Sequence, residues 1–203
     1  MSSHDHFDVV LFDLGGIVIE LGGMRDIVVF SGETDEAEIW RRWLHCPWVQ
    51  RFERGDCDEH AFARGMVETW SMPVGPEEFL AAFETWPKGL LPGAIDLVNE
   101  IGAKTRVAAL SNTNAVHDRR FRDAFRLHEH FEALYLSHEI GLVKPHREAF
   151  DYAVDALGCP RERILFLDDN QINVDAAREA GLHAELAVRV DGARSALAAR
   201  GFL

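Results

Sequence analysis

Asp13 closes an apolar run, Phe7-Asp8-Val9-Val10-Leu11-Phe12-Asp13, and Leu14-Gly15-Gly16 follows it. A carboxylate at the end of a buried strand, with glycines that let the backbone turn and approach a ligand, suits a metal ligand, a nucleophile, or both. Alone it would equally suit a residue that caps the next turn. Three later segments repeat the design. Val107-Ala108-Ala109-Leu110 runs into Ser111-Asn112-Thr113-Asn114. Ala133-Leu134-Tyr135-Leu136 leads through Ser137 and Gly141 to Lys144-Pro145, and Ile164-Leu165-Phe166-Leu167 ends in Asp168-Asp169-Asn170.

If these clusters meet, Asp13 and the Asp168-Asp169 pair offer hard oxygen ligands for Mg2+, and the Gly15 carbonyl offers another. Asp169 is the first choice of distal ligand and Asp168 the second. Carboxylates crowded together need a cation or a proton between them, and Lys144 can offset part of that charge while holding Asp13 and a phosphate oxygen. Ser111 and the backbone amide of Asn112 can donate to the remaining phosphate oxygens, aided by the amino end of the following helix. Such a set is equipped for phosphoryl transfer, with Asp13 attacking phosphorus to form an aspartyl-phosphate that water hydrolyses. Taken singly the residues have plainer roles, Ser111 as a turn residue, Lys144 as a solvated cation and Asp168 as a helix cap. Their recurrence at four strand ends favours a site.

The elements that must position these residues alternate. Helix-length stretches separate the strands, and right-handed crossovers place every carboxyl end on one edge of a parallel sheet. The spacing predicts helices over 94–102, 115–125, 147–157, 172–180 and 192–199, and strands over 106–110, 133–136, 164–167 and 184–188. Between about Gly22 and Gly89 the composition shifts. All five tryptophans fall there, with apolar residues at helical spacing (Ile39, Trp43 and Leu44; Phe62, Met66 and Trp70). Thr34 and Asp56 or Asp58 look like helix starts, and Pro87 to Gly93 like a return linker. The expected architecture is an α/β, doubly wound, Rossmann-like parallel sheet in residues 1–20 and 89–203. A helical cap over 21–88 is inserted after the first strand. Beginning just past Asp13, it would lie over the site as a lid, filled mostly by its tryptophans, with Trp48, Arg51, Phe52 and Glu53 as candidates for substrate selection.

The chain has 203 residues and a formal net charge of -13, which argues against a basic nucleic-acid face or an anionic membrane partner. A small phosphorylated substrate remains compatible, because local donors and a cation can offset the global field. Three cysteines, Cys46, Cys57 and Cys159, without a CxxC pair, suit a reduced cytoplasmic setting better than a disulfide framework or structural zinc. No apolar stretch is long enough to span a bilayer, and residues 1–6 read as a short mobile terminus where His4 and His6 carry little weight. Monomer and homodimer both stay open.

The four clusters, in this order and with a helical insert after the first, resemble the haloacid dehalogenase superfamily across essentially the whole chain. The nearest form is similar to the branch of bacterial α-D-glucose-1-phosphate phosphatases and the phosphatase domain of soluble epoxide hydrolases. The resemblance implies Asp13 as nucleophile, Ser111 and Asn112 as phosphate binders, Lys144 as the residue that steadies the charges, and Asp169 as a Mg2+ ligand. One position departs. Phosphatases of this type usually carry a second Asp, the general acid and base, two positions after the nucleophile, and here that position is Gly15. Glycine cannot move a proton, which favours substrates with good leaving groups, such as a sugar 1-phosphate; His117 is a candidate replacement donor. Two alternatives accompany the phosphatase reading. One is a haloacid dehalogenase that uses Asp13 without metal; the other is a non-catalytic relative that binds phospholigands.

Overall fold

The computed structural model describes residues 7–22, 27, 28, 30 and 35–203. Thr34, His4 and His6 lie outside the described residues. Five strands, β1 (Val9–Phe12), β4 (Arg106–Ser111), β5 (Ala133–Leu136), β6 (Ile164–Asp168) and β7 (His183–Leu186), form one parallel sheet in the order β5-β4-β1-β6-β7. The chain starts in the middle, moves out on one side and returns to the other, so the order reverses beside β1. Ligands in open α/β sheets bind at such a reversal, outside the carboxyl ends.

The strands are apolar on both faces, as sheets covered by two helical layers require. Val10, Phe12, Val107, Ala109, Leu165 and Leu167 face α5 (Ala94–Gly102), α6 (Ala115–Asp123) and α10 (Arg189–Ala199). Val9, Leu11, Ala108, Leu110, Ile164 and Phe166 face α8 (Arg147–Leu157) and α9 (Gln171–Glu179). A one-residue slip in any strand would exchange these two sets, so the register of the site-bearing strand ends is fixed by the core.

Between β1 and α5 lie the helices α1 (Glu36–Leu44), α2 (Pro47–Glu53), α3 (Glu59–Trp70) and α4 (Pro76–Glu84). Their starts follow local chemistry. Proline occupies the first turn of α2 and α4, and Asp58 accepts from the Ala61 amide at 2.7 Å to cap α3. They share their own apolar cluster, in which Trp43, Trp70 and Trp86 are buried with Phe52, Phe62, Phe79 and Phe83. Trp40 is exposed, and Leu44, expected on the apolar stripe, faces solvent as well.

Several expected elements shift. The segment read as a return linker contains β3 (Pro87–Leu90), which pairs antiparallel with β2 (Ile19–Leu21) at the root of the helical segment. The ribbon is short and its register is irregular at Glu20/Leu21, and Pro87, Lys88 and Gly89 have little strand propensity to announce it. A short helix, α7 (Ser137–Ile140), follows β5 directly. The last helix begins at Arg189, so Gly192 lies inside it instead of starting it. Other ends move by one or two residues, the usual uncertainty of helix and strand limits.

Candidate active site

Four strand ends deliver the site. The Asp13 amide donates to the Leu167 carbonyl at 2.8 Å, extending the β1–β6 ladder by one bond and fixing where the carboxylate leaves the sheet. Lys144 reaches in from the loop after α7. Its Nζ donates to Asp13 Oδ1 at 2.9 Å and to Asp168 Oδ2 at 2.6 Å, and lies 5.1 Å from the centre of the Phe166 ring. The side chain is almost fully buried, so the ammonium depends on these carboxylates to replace lost water. Asn112 sets its backbone: Nδ2 donates to the Lys144 carbonyl at 2.8 Å, and Oδ1 accepts from the Lys144 amide at 2.9 Å. The Lys144–Pro145 peptide bond is cis.

The two adjacent acids differ. Asp168 is fully buried, and besides Lys144 it accepts from the Asn170 amide at 2.8 Å and from Asn173 Nδ2 at 3.1 and 3.0 Å. Asp169 lies against the turn after β1. Gly16 has φ +67°, and a Cβ there would sit 1.9 Å from Asp169 Oδ2, so only glycine allows the approach. Ligand oxygens of Asp13, Asp168 and Asp169 all lie within 4.8 Å of one another.

Among the described residues, three carboxylates thus face one ammonium. Burial pushes Asp13 up to about 7; Lys144 opposes the rise, while Asp168 and Asp169 add to it. Asp169 is raised to about 6 by desolvation and by Asp168, against the pull of Lys144. Desolvation works against the Lys144 charge, yet Asp13 and Asp168 outweigh it and hold its pKa above the usual lysine value. A hard divalent cation fits this donor set, which is all oxygen and short of positive charge. Ser111, buried at the end of β4, makes no internal hydrogen bond through its hydroxyl among the described residues. Gly15 sits in the turn after Asp13, where an added Cβ would meet Leu21 Cδ1 at 2.9 Å.

His117 is not part of this convergence. Its ring stacks on Phe83 with centroids 4.2 Å apart, and Nε2 lies 2.9 Å from the Phe83 carbonyl. A carbonyl only accepts, so Nε2 carries the hydrogen and Nδ1 accepts from Asn114 Nδ2 at 3.2 Å. Burial lowers its pKa to about 4, so at neutral pH it has no proton to spare. The residue ties α6 to α4.

Of the residues considered for substrate selection, Phe52 is packed against Phe62 at 4.2 Å, and Trp48 covers Gly65 beneath the Arg51 guanidinium. Glu53 differs: it is half-buried at the carboxyl end of α2 and makes no hydrogen bond or ion pair among the described residues. Burial raises its pKa to about 7, opposed by the charge of Lys144. Asn173, which orients Asp168, carries no sequence signal beyond its place in the first turn after an Asn cap. A second cluster, Asp118 of α6 with His138 and Glu139 of α7, joins those two helices, and Arg122 bonds both acids. The amino edge of the sheet has a groove of about 340 Å3 at Phe7, Lys104 and Cys159, without converging carboxylates.

The chain is 28% identical over 128 residues to pyrimidine 5′-nucleotidase YjjG of Escherichia coli, a match that spans 60% of this chain and 56% of that protein. It is 24% identical to D-ribitol-5-phosphate phosphatase of Bacteroides thetaiotaomicron, over 85% of this chain and 87% of the relative. The crystal structure of a HAD family enzyme from Bacteroides thetaiotaomicron superimposes with a TM-score of 0.77 at 27% identity, covering 90% of this chain and 94% of the other. A mutant of that enzyme, in complex with magnesium and inorganic phosphate, gives 0.74 at 26%, over 89% and 94%. No helix among the described residues is long and apolar enough to cross a membrane. The family of haloacid dehalogenase-like hydrolases matches residues 7–181, and the chain is a member of it.

Proposed function

We propose that this hydrolase is a Mg2+-dependent phosphomonoesterase acting on a small phosphorylated metabolite through an aspartyl-phosphate on Asp13. The observation that carries the reading is the set of three carboxylates facing the single ammonium of Lys144. A metal-free attack on carbon needs one carboxylate and gives no reason for two more beside it. The Mg2+ reported in a related structure supports the same choice.

In this reading Asp13, Asp169 and the Gly15 carbonyl hold the cation. Asp168 ranks behind Asp169 because its oxygens already serve Lys144, Asn170 and Asn173. When bound, Mg2+ supplies positive charge beside the phosphoryl oxygens and favours the ionised form of Asp13. Lys144 aims the Asp13 carboxylate, and Ser111 with the Asn112 amide donates to the phosphate. Asp13 attacks in line and water then cleaves the acyl phosphate. The four helices α1–α4 act as a cap that limits water and shapes the leaving-group side.

Phosphate release in Mg2+ and in EDTA tests this. The panel holds pyrimidine nucleoside monophosphates and ribitol 5-phosphate, as the relatives' names suggest, with glucose 1-phosphate and p-nitrophenyl phosphate. Release that EDTA abolishes is expected. Haloacid turnover in EDTA without phosphate release would establish the dehalogenase instead.

A further inference from the structure

A simple alkyl phosphate leaves as an alkoxide that must be protonated, and among the described residues the sheet edge has no group free to do it. Asp13 is the nucleophile, Asp169 is assigned to the cation, Lys144 is committed to two carboxylates, Asp168 has its oxygens filled, and Gly15 has no side chain. His117 spends both nitrogens on Asn114 and Phe83. Among the described residues of the helical segment, Glu53 is the candidate. Helix α2 packs on α7, and the turn behind it seats so closely that a Cβ on Gly55 would lie 2.4 Å from the His138 carbonyl oxygen. Glu53, the last residue of α2, stands two positions before Gly55, beside the helix that continues the carboxyl end of β5, and its carboxyl feels the charge of Lys144.

We propose that Glu53 is the general acid of the phosphoryl transfer, supplied by the cap in place of a side chain at position 15. The inference rests on the phosphatase reading. As Asp13 Oδ bonds to phosphorus, the bond from phosphorus to the leaving oxygen breaks and its electron pair stays on that oxygen. The oxygen takes the carboxyl proton of Glu53 and departs as an alcohol. Glu53, now a carboxylate, recovers a proton from the water that hydrolyses the aspartyl-phosphate. Its setting suits the donor role. Among the described residues no hydrogen bond or ion pair stabilises its charge, Lys144 offsets the burial only in part, and the negative end of the α2 dipole disfavours ionisation further. Burial accordingly holds its pKa at about 7, where the protonated form persists at working pH.

Leaving-group dependence of kcat/KM tests the assignment, because that ratio covers the steps up to aspartyl-phosphate formation. Glu53→Gln is expected to lower kcat/KM for the best alkyl phosphate by about 100-fold or more, and for p-nitrophenyl phosphate by less than about 3-fold, since nitrophenolate leaves without a proton. Glu53→Asp should recover part of the alkyl activity. Equal losses on both esters, or undiminished alkyl turnover in Glu53→Gln, would overturn the proposal while leaving the phosphatase intact. Failure of the phosphatase reading itself shows separately, as wild-type protein that releases no phosphate from either ester.

Discussion

Two acidic clusters lie close to the same sheet edge, and they differ in how their charge is met. Asp118 and Glu139 share Arg122, at 2.7 and 2.6 Å, and His138 Nε2 is 3.7 Å from Asp118. There desolvation works against the Asp118 charge but His138 and Arg122 outweigh it, so its pKa falls; one oxygen, Oδ1, is left without a hydrogen bond. At Asp13, Asp168 and Asp169, among the described residues, Lys144 alone faces three acids, and the pKa values of Asp13 and Asp169 rise. Paired cations lower the pKa of an acid, whereas burial beside other carboxylates raises it. The sign of the shift separates the two clusters better than their composition does.

The largest effect that bears on this contrast is chemical. Asp13→Asn should reduce phosphate release by about 1,000-fold or more with the fold unchanged by circular dichroism, because it removes the attacking atom. Substantial residual turnover would move the nucleophile elsewhere. Asp169→Asn should next abolish the rise in melting temperature caused by Mg2+. For the wild type that rise corresponds to about 2.7 kcal/mol at a free concentration 100 times Kd. Asp118→Asn should leave it in place.

A pH series sharpens the same comparison. In the unfolded chain an Asp loses its proton near 3.8, but in the folded protein Asp13 keeps it to about 7. The metal-free fold therefore binds the extra proton and loses stability through Asp13 as pH rises across that window. Asp118 has the opposite sign, contributing stability above the unfolded carboxylate value that is lost as pH falls. In EDTA, urea melts should show Asp13→Asn gaining on the wild type between pH 5 and 7, by up to about 1.4 kcal/mol per pH unit. A difference independent of pH would contradict the burial of an uncompensated charge. The smallest effect is expected at Arg122. The side chain is 43% exposed, so Arg122→Ala should cost under about 1 kcal/mol and leave phosphate release nearly unchanged.

The parallel sheet was legible because strand and helix lengths alternate and because apolar runs end in polar residues at each carboxyl end. The helical segment was visible through its tryptophans, three of which fill its core. The β2–β3 ribbon was not, since pairing between Ile19 and Leu90 depends on distant chain and not on local propensity. Within the site, Asp13, Lys144, Asp168 and Asp169 stand out by type and position, whereas Asn173 and the clamp of Asn112 on the Lys144 backbone become visible only in three dimensions. His117 looked available in sequence, on the helix after Ser111. Burial against Phe83 removes it as a donor.

Calorimetric titration of Mg2+ into the metal-free protein at pH 6.5, in two buffers of different ionisation enthalpy, tests the central claim most directly. The account predicts one site, lost in Asp169→Asn and kept in Asp118→Asn, with a heat that changes with buffer because binding displaces protons from Asp13 and Asp169. No binding by the wild type, or binding that survives Asp169→Asn and disappears with Asp118→Asn, would contradict it.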